Sequence, residues 1–293
     1  MYFLFLLLAQ IMVGTNIVGA KYLLDNSMPV LFLLTFRFGL ATLTLLFLHA
    51  ATPEAKNTLS SIKTLTKRDW LFLVAQAMTA GIIFNLLMLL GLNYTDANEA
   101  GIITSVLPAL IGVLSWLILK ERISIKKALS IGLATLGLLV ISFDKYQHVN
   151  GDHSFLGDFI VFIALLPEAS YYILSKLNPN RLPVFLVSAI INGLNAVILL
   201  PILFFQTNLT LLHFSGIQWL ALVIISISSG LFYVFWYVGS HKVDAIMASL
   251  STAFMPVSTV VIAWLALGET INTLEFLGMG LVIGSIVAYT FSN

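Results

Sequence analysis

The feature that most constrains this chain is the recurrence of apolar stretches from one end to the other. They run over residues 2–20, 29–49, 70–91, 97–119, 128–143, 157–177, 184–205, 217–238, 245–267 and 274–291. Most approach the ~20 residues that a helix needs to cross the hydrocarbon core of a bilayer. The stretch 128–143 is short and draws on boundary residues. Within lipid no water meets the backbone N–H and C=O groups, so each span must close its hydrogen bonds internally, as a helix. The chain is therefore expected to be an all-α polytopic membrane protein of ten transmembrane helices, with the lipid bilayer as its solvent. Charged residues make up 9% of the chain and hydrophobic ones 59%, against about 25% and 45–50% in soluble domains. So few charges cannot coat a water-facing surface of this size. The first charge is Lys21, with no basic segment ahead of the first stretch, which reads as a span and not as a cleaved leader.

Several function classes drop out. There is no cysteine, hence no disulfide, thiolate metal site or cysteine nucleophile. The five histidines are scattered and show no zinc-ligand spacing. The net charge of +1 creates no field that would gather nucleic acid. No G-x-x-x-x-G-K-[ST] phosphate loop is present, so the chain by itself has no means of ATP-driven transport. Nothing points to an enzyme, a metal or a cofactor. With ten spans and a cytoplasmic amino terminus, eleven of the fourteen Lys and Arg fall in cytoplasmic segments, Lys21 and Lys145 fall on the other side, and Arg37 lies inside a span. That bias places both termini in the cytoplasm and the protein in the cytoplasmic (inner) membrane.

The chain also repeats itself. Residues 81–143 resemble residues 229–291 at a constant offset of 148 (244 minus 96). Asp96 aligns with Asp244, Pro108 with Pro256, Trp116 with Trp264, Glu121 with Glu269 and Gly132 with Gly280. Shared residues at one offset signal duplication. The halves, 1–146 and 147–293, then hold five spans each. Five is odd, so the second half enters the membrane from the opposite side. The expected architecture is a 5+5 inverted repeat about a pseudo-two-fold axis in the membrane plane, an arrangement found in secondary transporters that work by alternating access.

In detail the repeat resembles the EamA family of the drug/metabolite transporter superfamily. The first half carries Gly14-Thr15-Asn16, Lys21, Pro29, Arg37-Phe38, Tyr94-Thr95-Asp96-Ala97, Pro108 and Leu119-Lys120-Glu121-Arg122. The second carries Val243-Asp244-Ala245, Met255-Pro256, Leu267-Gly268-Glu269-Thr270 and Gly278-Met279-Gly280. The proline-to-glutamate spacing, present twice, is the most specific part. The resemblance implies a carrier with a central polar cavity that moves a small polar metabolite, such as an amino acid, commonly outward. The family often has a tryptophan before the Gly-x-Asn of the first helix; here that position is Val13. The first helices of the halves match weakly, as Lys21 with Lys176 and Pro29 with Pro183, and Arg37 has no basic counterpart. A channel or facilitator and a non-transporting membrane receptor are the competing readings.

Polar residues inside spans are the site candidates, because charge at depth costs several kcal/mol and must face a cavity or a partner. Arg37 reads either as a structural arginine or as a contact for an anionic group. Glu168 directly follows Pro167, which cannot donate to the carbonyl of Ile163 and so frees a polar backbone group at depth. That pairing suits a solute or proton-coupling site; a neutral glutamic acid held by one hydrogen bond is the alternative. Tyr171 and Tyr172 lie about one turn on, and Tyr233 and Trp236 are placed to line the same space. Asn16 and Asn85 serve either as solute ligands or as links between helices. Pro108 and Pro256 are expected to kink their helices. Asp96, Glu121, Asp244 and Glu269 form the structural motif, with the glutamates bracing turns. Gly280 and Gly284 form a Gly-x-x-x-Gly for a close crossing, within one chain or between two, so that monomer and homodimer both remain open.

Overall fold

The computed structural model describes residues 2–92, 94, 103–121, 123–146, 155–177, 182–206, 213–268 and 270–291. Asp96, Glu269 and Arg122 lie outside the described residues. The fold is all-α. Helices α1 (Tyr2–Asp25) and α2 (Val30–Ala50) are followed by a short 3-10 turn and α3 (Thr58–Lys63). Then come α4 (Lys67–Ala77), a π-helical segment (Met78–Ile83) and α5 (Phe84–Leu92), which run on as one rod, and α6 (Leu107–Leu119) and α7 (Ile125–Tyr146). The second half holds α8 (Phe155–Leu177), α9 (Val184–Gln206), α10 (Gly216–Ser240), α11 (Ala245–Thr252), α12 (Phe254–Leu267) and α13 (Thr273–Phe291).

Among the described residues seven segments are long and apolar enough to cross a membrane: Tyr2–Asp25, Val30–Ala50, Lys67–Met88, Phe155–Leu177, Val184–Phe205, Gly216–Ser240 and Ala245–Leu267. Leu107–Leu119 and Thr273–Ala288 are shorter apolar helices, and α7 carries Lys126 and Lys127 in its first turn. The chain is thus a polytopic membrane protein, and seven of the ten expected stretches meet the criterion of length and composition.

Helix starts are written locally. Thr66 and Asp69 form a capping box at α4, with Thr66 Oγ1 accepting from the Asp69 amide at 3.2 Å and Asp69 Oδ2 accepting from the Thr66 amide at 2.8 Å. Ser215 and Gln218 do the same at α10. Each box satisfies donors that a helix start would otherwise leave open. Near both expected proline kinks the helix is interrupted only briefly: turns at Ser105–Val106 and at Ala253, with Val106 and Ala253 still in the right-handed helical region, precede α6 and α12, and Pro108 and Pro256 sit in the first turns that follow. There proline costs no intrahelical hydrogen bond. Pro167 and Pro201 instead lie inside the continuous helices α8 and α9.

The packing repeats as the sequence does. α1 lies against α10 and α12, while its counterpart α8 lies against α5 and α6; α2 touches α10 as α9 touches α4. The pairs α2–α9 and α7–α13 join equivalent helices. Single contacts repeat as well. A Cβ on Gly239 of α10 would fall 2.7 Å from Leu6, and one on Gly91 of α5 would fall 2.6 Å from Val161. Gly91 and Gly239 share the repeat's offset, so the first helices of the two halves correspond in space even though their sequences diverge.

The close crossing of the final helices does not use the Gly-x-x-x-Gly. Cβ atoms on Gly137 and Gly278 would lie 2.8 and 2.6 Å from each other's carbonyl oxygens, whereas Gly280 and Gly284 meet nothing within 4 Å. Gly280 and Gly284 are on the exposed face of α13. Gly278→Ile is expected to lower stability by ~1–3 kcal/mol, since the neighbouring backbone cannot yield. Gly284→Ile should stay within ~0.5 kcal/mol of the parent. Thermal unfolding of the detergent-purified variants checks the contrast.

Candidate functional site

Glu168 occupies the inward face of α8. One turn to either side, Ala164, Leu165 and Tyr172 are sealed, yet Glu168 itself keeps partial accessibility. Glu168 is thus a partly accessible carboxyl on an otherwise closed face of α8. Arg37 on α2 repeats the pattern: Leu33, Leu34 and Ala41 around it are buried, and Arg37 is half-buried. Its guanidinium lies 4.7 Å from the ring centre of Phe38, and its Nε is buried without a hydrogen-bond partner.

Tyr233 on α10 stands within electrostatic reach of both Arg37 and Glu168. The two charged residues come from different halves of the chain and are brought to one tyrosine. Glu168 also stands within electrostatic reach of Tyr172, one turn on in the same helix. Around them the rings pack edge to face. Tyr171 lies 5.3 Å from Tyr172 and 5.6 Å from Tyr233 between centroids, and Tyr172 lies 4.5 Å from Trp236. Phe232, which the sequence does not single out, joins at 5.0 Å from Tyr233. Such contacts hold each ring in a fixed orientation. Trp236 donates its indole N–H to Ser175 Oγ at 2.9 Å, while the Tyr171 hydroxyl is buried with no partner. The result is an aromatic wall with a cation and a carboxyl on it.

The two asparagine candidates are placed differently. Asn16 donates to its own helix at Met12 O (2.9 Å) and leaves its Oδ1 buried and unpaired. Asn85 turns its amide onto Gly81 O at 2.5 Å, inside the π-helical segment, so its donor is used locally. The π turn brings Gly81 against Asn195 of α9, whose amide atoms are both buried and unpaired. Asn192 and Ser188, one and two turns earlier on that helix, also carry an unpaired buried oxygen. The widened turn has no sequence signal beyond Gly81, and nothing in the sequence singles out the α9 amides. A groove of about 420 Å³ at Trp264, Ile271, Asn272, Thr273 and Phe276 takes in none of these interior residues. Among the described residues no group of His, Cys, Asp or Glu is arranged to hold a metal ion.

The EamA-like transporter family matches twice, over residues 1–143 and again over residues 155–291. The chain belongs to this family. Its members are transporters, not enzymes, and the double match marks the two copies of the repeat. Among curated proteins, the uncharacterized transporter YetK of Bacillus subtilis is 29% identical over 95% of this chain and 83% of its own length. The uncharacterized transporter YyaM of the same organism is 26% identical over 85% of this chain and 80% of its own. An uncharacterized transporter of Methanothermobacter thermautotrophicus is 24% identical over 96% and 84%. A solved crystal structure superposes with a TM-score of 0.81 over 99% of this chain and 96% of that one, at 17% identity, a likeness of fold.

Removing an unpaired buried hydroxyl removes a desolvation cost. Tyr171→Phe is therefore expected to leave thermal stability unchanged or raise it by up to ~1 kcal/mol. A fall in the unfolding midpoint would show that the hydroxyl has a partner.

Proposed function

We propose that this EamA-family protein is a secondary transporter that moves a small polar metabolite, such as an amino acid, out across the cytoplasmic membrane by alternating access. Ten spans form two inverted five-helix halves, 1–146 and 147–293, and the solute binds between them. What supports this reading is that Arg37 from one half and Glu168 from the other sit on helices that both pack against α10, with Tyr233 of α10 in electrostatic reach of each. A cation and a carboxyl across one aromatic wall match a solute that bears both an acid and an amine. Tyr171, Tyr172 and Trp236 complete the wall, with Asn16 at its border. Because the ligands come from both halves, movement of one half against the other alters the site, as alternating access requires.

Glu168 takes and gives up a proton during the cycle, so that a proton gradient drives the solute. Its depth and its place after Pro167 favour that role. A screen of amino acids and other small metabolites in proteoliposomes identifies the solute by saturable flux and by exchange of labelled for unlabelled compound. Glu168→Gln should then abolish accumulation driven by a pH gradient while the protein stays inserted and monodisperse. Wild-type rate and pH dependence in that variant would make Glu168 a packing residue.

The topology has its own check. Reporter fusions after Asn150 and after Asn293 should report opposite sides of the membrane, with the latter cytoplasmic. The same side for both would remove the inverted-repeat arrangement.

A further inference from the structure

At one end of the bundle the two halves are tied by charge. Lys120 ends α6 in a left-handed conformation (φ 56°), which turns Glu121 toward the second half. Both Glu121 carboxylate oxygens accept from the Ala245 amide, at 2.9 and 3.0 Å. Asp244 caps the same helix by accepting from the Met247 amide at 2.7 Å, and its other oxygen takes Lys127 Nζ of α7 at 2.6 Å. Lys176, at the end of α8, donates to Val243 O at 2.5 Å and stands 4.0 Å from Glu121. Two carboxylates and two ammonium groups thus balance across the junction between the halves. All four are sheltered, with side chains from 13% to 35% exposed.

A second layer lies between this cluster and the aromatic wall. Ser175 precedes Lys176, is fully buried and accepts from Trp236. One turn earlier, Tyr172 is buried and within electrostatic reach of Glu168. The part of α8 that follows Pro167 therefore carries the site carboxyl, the floor beneath it and the lysine of the charged junction on one rigid segment.

We propose that Lys176, with Glu121, Lys127 and Asp244, is the closure of the solute path at this end: a salt-linked seam between the halves that parts when the path opens here. The inference rests on the alternating-access reading. It assigns Lys176 as a positioning residue that acts on the site through α8 and does not touch solute.

The chain contains no cysteine, so Ser175→Cys supplies a single reporter of access to the floor of the site. Its reaction with a hydrophilic maleimide is followed on the purified, monodisperse protein in detergent, without solute. Labelling is expected to be slow with the seam intact and about tenfold faster once Lys176→Gln is added. Lys127→Gln, which leaves the Lys176 contacts in place, should accelerate it as well and serves if the first variant does not fold. Lys176→Arg keeps the charge and should restore slow labelling. Labelling that stays slow in the neutralised variants overturns the seam, and so does labelling that is equally fast in Lys176→Arg and in Lys176→Gln. The readout needs no transport: a chain that opens here but moves no solute refutes the transport reading alone, and a transporting chain whose labelling ignores Lys176 refutes the seam alone.

Discussion

Lipid offers no hydrogen bonds, and most of this structure follows from that constraint. Among the described residues, many polar side chains in the spans bond back to their own helix. Thr15, Thr35, Thr42 and Ser226 each donate to the carbonyl four residues earlier. Charge is rarer still within the bundle and appears where the two halves meet: at Arg37 and Glu168 around Tyr233, and at the seam of Glu121, Lys127, Lys176 and Asp244. The interior is polar where the repeat is joined and apolar elsewhere.

The unpaired amides deepen that contrast. Gln10, Asn192 and Asn195 are fully buried and hold side-chain atoms without hydrogen-bond partners. Each such atom costs about 1–3 kcal/mol of desolvation. A packed core would replace these residues with leucine. They sit on helices that pack against helices of the other half.

Much of this was legible in the sequence because its causes are local or periodic. Apolar length marked the helices, and the offset between Asp96 and Asp244 marked the repeat that the paired contacts of Gly91 and Gly239 reproduce in space. Arg37 and Glu168 stood out because charge at depth is expensive, and both are half-buried on helices that pack against α10. The misses are matters of direction and partner. Gly280 and Gly284 have the spacing of a helix crossing but point outward, and the crossing falls to Gly137 and Gly278, whose spacing carries no signal. Glu121 read as a brace for its own turn, yet it caps a helix 124 residues away. The π turn at Met78–Ile83 has no compositional mark, so Asn85 looked available to solute when its amide is held by Gly81.

The contact between Gly137 and Gly278 carries a mechanical consequence. Where side chains separate two helices, rotamer changes can absorb a shift; where backbone lies on backbone, nothing can deform. α7 and α13 therefore have little room to shift where they cross.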